Sequence, residues 1–82
     1  MSANIYYQAV TGTEIPIGAP SSFLAIVRRF TGAEGPWVFE HNDVAGLNGV
    51  LAALEDRDHA NAIRTILNAI AEHAVVRVWA EY

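Results

Sequence analysis

Proton transfer near neutral pH and metal ligation both favour imidazole, and this chain carries three: His41, His59 and His73. His59 and His73 stand 14 residues apart within what reads as one helix. At 1.5 Å per residue that is about 21 Å, so a continuous helix keeps them from sharing a metal. His41 is free to meet either in space, yet no His-x3-His or Glu-x-x-His spacing supports a ligand set. No metal site is expected. His73 sits where a helix C-terminus would favour a cation, and His59 reads as an exposed residue of a first helical turn.

His41-Asn42-Asp43 spells an acid–base pair, but neighbours in an extended chain point to opposite sides. Asp43 (or Asn42) is also well placed to cap the helix that follows. A catalytic His–Asp pair would need a nucleophile. Ser21, Ser22, Thr11 and Thr13 are the hydroxyls to hand, and none lies in a nucleophile-elbow motif. Gly12 and Gly18 flank a loop with neither G-x-x-x-x-G-K-S/T nor G-x-G-x-x-G, which argues against a nucleotide site. There is no cysteine and no lysine, all five basic residues being Arg. This removes disulfides, thiolate ligands, a P-loop lysine and Schiff-base chemistry. The expectation is a non-enzymatic chain without a cofactor.

These residues must be positioned by a small set of elements. Ile5–Val10 is β-branched and aromatic and reads as a first strand, with Tyr6, Gln8 and Val10 on one face. Thr11–Pro20 holds two Gly and two Pro and reads as a loop, with Ile15 and Ile17 either folded under it or presented to a partner. Ser21 and Ser22 can cap a helix on which Phe23, Ile26, Val27 and Phe30 recur at helical spacing, stopped by Thr31-Gly32. The alternative is a strand in hairpin with the next, since so few residues barely separate the two periods. The doublet Arg28-Arg29 suits the end of that helix, or a second partner contact.

Trp37–Glu40 reads as a short strand with Trp37 in the core. Val44, Leu47, Val50, Leu51 and Leu54 then form an apolar helical stripe. Gly46 and Gly49 cost that helix about 1 kcal/mol each, tolerable where another backbone packs closely. Glu55–Asp58 is a polar break with Asp56 or Asp58 as the next cap. From His59 to His73 the pattern is clearest, Ile63, Ile66, Leu67, Ile70 and Ala74 on one face and Asn61, Arg64, Asn68 and Glu72 on another. Ala74–Tyr82 reads as the last strand, Val76, Val78 and Ala80 facing one side and Arg77, Trp79 and Glu81 the other.

The predicted fold is therefore a single α+β domain over residues 1–82, in the order β-α-β-α-α-β, with helices on one face of a three-stranded sheet. Composition agrees: 52% of residues are hydrophobic and 17% charged, too apolar for disorder. A net charge of −4 with scattered Arg makes nucleic acid an unfavoured partner. The N-terminus lacks the features of a signal peptide, and no apolar run approaches the ~20 residues of a membrane span, so a cytoplasmic protein is expected. The Arg-only basic set fits a GC-rich bacterial or phage genome.

One consequence bears on function. A sheet covered on one side leaves the other open, and Tyr6, Gln8, Glu40, Arg77, Trp79 and Glu81 would line it. Aromatic residues with Arg are the composition of an interface. The expectation is a protein-binding module, acting as a homodimer or on another protein as a regulator, an accessory subunit or an inhibitor, including a mobile-element inhibitor of a bacterial defence system. Two alternatives are a small enzyme or ligand-binding protein with its site near residues 11–20 and His41, and a structural assembly component.

Overall fold

The computed structural model describes residues 4–9, 15–16, 19 and 21–81, with side chains for 19 and 21–80. Along them run β1 (Asn4–Ala9), β2 (Ile15–Pro16), α1 (Phe23–Thr31), β3 (Trp37–Phe39), a 3-10 turn (His41–Asp43), α2 (Val44–Ala53), α3 (Arg57–His73) and β4 (Val76–Glu81). The α+β class agrees with the sequence, and the strands pair antiparallel in the spatial order β2-β1-β4-β3. The expected three-stranded sheet and its element order need correction. Ile15 and Pro16, inside the stretch read as loop, pair with Tyr7 and Tyr6 of β1. Proline lacks the N–H a central strand must supply, and β2 is accordingly an edge strand.

Residues 23–31 are helical, so the hairpin alternative does not hold. Phe23, Leu24 and Val27 are buried on one side of α1, while Ile26 and Phe30 pack half-buried at the margin of the core. The helix ends where Gly32 adopts φ 70° and donates its N–H to the Arg28 carbonyl at 2.7 Å. Arg28 and Arg29 fall in the last turn, as the helix dipole favours. Gly35, at φ 103°, lies flat against the Trp37 indole, where an added Cβ would stand 3.1 Å from the ring.

Asp43 caps differently from expectation. Its Oδ2 accepts the Glu40 N–H at 2.9 Å and closes the 3-10 turn, and it makes no side-chain bond to α2. α2 is apolar apart from Asn48, yet only Leu47 is fully buried; the rest of its stripe is half-buried. The close approach of another backbone expected at its glycines is replaced at Gly46 by a side chain, the Phe30 ring, which a Cβ would meet at 2.8 Å. No close approach occurs at Gly49, which faces open space.

α3 starts at Arg57, two residues before the predicted start, because Asp56 caps it by accepting from the N–H groups of Asp58 and His59 at 2.9 and 3.0 Å. Its buried stripe, Ala62, Ile63, Ile66, Ala69 and Ile70, meets Trp37, Phe39, Val76 and Val78 of the sheet in one core with α1 and Leu47. The polar face of Asn61, Arg64, Asn68 and Glu72 is exposed as the pattern predicts, whereas Ala74 falls outside the core and is exposed. The helix stops at Ala74, whose φ of 69° turns the chain into β4. Among the described residues no helix is long and apolar enough to cross a membrane.

Candidate functional site: the outer face of the sheet

Burial alternates along β4 and the edge strand β3 beside it. Val76 and Val78 of β4 are fully buried, and Trp37 and Phe39 of β3 lie on the same inner side. The residues between them face outward: Arg77 is exposed, Trp79 is half-buried, and Val38 is 62% exposed, a high value for a large apolar side chain. Every core partner from α1, α2 and α3 packs on the inner row. Among the described residues the outer face carries no helix.

Strand register assembles this face. Directly opposed residues in an antiparallel pair lie on one side of the sheet. Tyr6 is paired with Trp79, Gln8 with Arg77, Asn4 with Glu81, and Val38 with Arg77 from the other flank. Five of the six predicted residues, Tyr6, Gln8, Arg77, Trp79 and Glu81, therefore occupy one contiguous set of register positions. Glu40 falls outside the paired register. It lies beyond β3, and its carboxylate accepts from Asn42 Nδ2 at 3.4 Å within the 3-10 turn.

The Arg77 guanidinium carbon lies 5.2 Å from the centroid of the Trp79 ring. This is a cation–π contact between neighbours on the outer side of β4. Beside them a shallow hollow of about 290 Å3 is lined by Glu34, Gly35, Pro36, Trp37, Arg77, Trp79 and Ala80. Trp37 belongs to the core, as expected, and its indole N–H donates to the Ala33 carbonyl at 3.0 Å. The sequence reading missed Val38, although its place between two buried aromatics marks it as the outward residue of a three-residue strand.

The remaining predicted contacts separate. Arg28 Nε meets Glu34 Oε2 at 3.1 Å, which ties α1 to the following loop. Arg29 is exposed beside an apolar groove of about 520 Å3 lined with Ile26, Phe30, Val50, Ala53 and Leu54. Ile15 is in β2, and Ile17 lies outside the described residues. Of the alternative site expected near residues 11–20 and His41, most of the loop lies outside the described residues. β2 and β3 are opposite edges of the sheet, three strand spacings or about 14 Å apart. His41 shares a groove of about 880 Å3 with His73, between α2 and the end of α3.

His59 is the clearest revision among the histidines. Its side chain is 17% exposed, not the open first-turn residue expected, and its ring sits 6.2 Å from that of Phe23. Nε2 lies 2.9 Å from the Ser22 hydroxyl, and Nδ1 lies 3.8 Å from Asp56 Oδ1. The Asp56 carboxyl pKa is held below its ordinary value, first by the His59 backbone N–H, which outweighs the opposing effect of burial, with the His59 charge and the Asp58 N–H adding less. Ser22 and His59 are 37 positions apart, so no local motif announces the contact. Among the described residues no three His, Asp or Glu side chains cluster as metal ligands would.

No family model, curated protein or solved structure matches this chain.

Proposed function

We propose that this chain works by binding protein, first of all a second copy of itself, through the outer face of its sheet. The observation that carries the reading is the exposed Val38 beside the Arg77–Trp79 pair, on a face that none of the described helices covers. Trp and Arg are the residues that most often dominate interface energetics, and the register adds Tyr6, Gln8 and Glu81 around them. A two-fold pairing of this face would place Arg77 and Glu81 of opposite sign within one self-complementary surface. This role asks for no reacting group on the face itself. It suits a regulator, an accessory subunit or an inhibitor.

Size-exclusion chromatography with light scattering tests it. The wild-type protein is expected at twice the 8.9 kDa chain mass at micromolar concentration. Trp79→Ala should weaken the dimer by about 2 kcal/mol or more, roughly 30-fold in Kd. Val38→Glu should do the same without unfolding the chain, because residue 38 is exposed and the new carboxylate would stand opposite Arg77. A single-chain mass for the wild type across that range, with no partner lost on either substitution, would refute the proposal.

A further inference from the structure

Separately from the sheet face, we propose that the groove between α1 and α2 binds a free medium-chain alkyl carboxylate, its tail along the groove and its head on Arg29. The groove measures about 520 Å3 and is lined by Ile26, Arg29, Phe30, Val50, Ala53 and Leu54. That size falls within the roughly 300–1,000 Å3 of small-ligand sites. Five of the six lining residues are apolar and the sixth is a cation. Such a wall matches a ligand with one anionic end and an otherwise apolar body.

The two helices build the groove by what they leave out. α2 carries no charged residue. Gly46 lets the Phe30 ring settle against the helix, where a Cβ would stand at 2.8 Å. The same ring lies 6.2 Å from that of Phe39 in the core, which fixes the groove's floor. Gly49 and Ala53, four positions apart, share one face of α2, and nothing lies within 4 Å of a Cβ added at Gly49. Ile26, Phe30, Val50 and Leu54 pack against the core on one side and remain half-buried. Their outer sides are apolar area that a ligand would remove from water.

Arg29 is the cation placed to receive the head. Arg28 is held by Glu34, Arg64 by Asn61, and Arg77 lies over Trp79. Arg29 is exposed, and among the described residues no carboxylate, Glu55 beside Leu54 included, stands within ion-pair distance of it. Its planar fork matches a carboxylate through two parallel hydrogen bonds. A net charge of −4 opposes approach to an anionic bilayer, which favours a single free molecule. A protein partner would bring many polar contacts to a groove that offers one polar side chain.

Octanoate titrated into the isotope-labelled chain at neutral pH, below its micelle concentration, tests this by amide NMR. Shifts should centre on residues 26–30 and 50–54, with one molecule bound per chain. Each methylene added from hexanoate to decanoate should tighten binding about twofold to fourfold. Octanol, which lacks the charge, should bind at least about tenfold more weakly than octanoate, and Arg29→Gln should remove that difference. Ala53→Trp fills the groove from an exposed position and should abolish binding with unchanged helical circular dichroism. Equal affinity for octanol and octanoate, shifts centred elsewhere, or full binding by folded Ala53→Trp would overturn the proposal. So would binding only to phosphatidylglycerol vesicles. Protection of an Ala53→Cys thiol that grows with protein concentration would also overturn it, because a second chain would then occupy the groove.

Discussion

Ala74→Gly should make this protein more stable, although it removes atoms. Ala74 has φ 69° and ψ −47°, a combination that crowds any Cβ. It is held there from both sides: its own N–H donates to the Ile70 carbonyl at 2.8 Å, and the Val75 N–H closes a tight turn on the His73 carbonyl at 2.9 Å. That is a γ-turn of the rare, strained hand. Such a backbone costs a residue with a Cβ about 1–3 kcal/mol. Glycine escapes that cost but loses about 0.5–1 kcal/mol more conformational freedom on folding. Ala74 is exposed, so its methyl contributes little packing. The net expectation is a gain of about 1 kcal/mol, with unfolding entropy of about 2.1 cal/mol/K per residue. Over 82 residues this raises Tm by about 6 °C. Gly32→Ala is the opposite experiment. Gly32 has φ 70° with nothing within 4 Å of an added Cβ, so its loss of about 1 kcal/mol would be backbone strain alone. Thermal and urea unfolding followed by circular dichroism measure both. A lower Tm for Ala74→Gly would refute the reasoning, because it would mean that the turn imposes no strain on alanine.

Two further outcomes follow from the helices. Gly46→Ala should destabilise by about 1–3 kcal/mol because a Cβ would collide with the Phe30 ring, whereas Gly49→Ala, in open space on the same helix, should stabilise by about 1 kcal/mol; urea midpoints of the two variants check the opposite signs. The Asp56 carboxyl, lowered chiefly by the His59 N–H, contributes stability that is present above its unfolded pKa of about 3.9 and is lost as pH falls through the folded value. Acid titration of α3 helicity should therefore be shallower in Asp56→Asn than in the wild type, and identical curves would contradict that assignment.

Much of this arrangement was legible in the residues. The alternation Val76-Arg77-Val78-Trp79 separates a buried row from an outer row without ambiguity, and the register confirms it by setting Arg77 opposite Gln8 and Trp79 opposite Tyr6. α3 announced itself because 17 residues give several turns of one apolar stripe. α1 was ambiguous: its nine residues carry too few periods, and burial of Phe23, Leu24 and Val27 on one side decides it. β2 was hidden, since two residues including a proline form a strand only by borrowing the edge of β1. The Ser22–His59 contact was hidden for a related reason. It depends on the packing of α1 against the start of α3, which sequence spacing does not encode. Type and place make Asp43 a candidate helix cap, and the 3-10 turn before α2 takes its carboxylate instead.

The covered or uncovered state of the outer face can be read from a single added thiol, because the chain has no cysteine of its own. Val38→Cys sits on that face, and Asn61→Cys on the exposed side of α3 serves as reference. The rate of alkylation by a small maleimide should fall for Val38→Cys as protein concentration rises from nanomolar to micromolar, while the Asn61→Cys rate stays constant. Equal, concentration-independent rates at both positions would contradict the claim that a second chain buries this face.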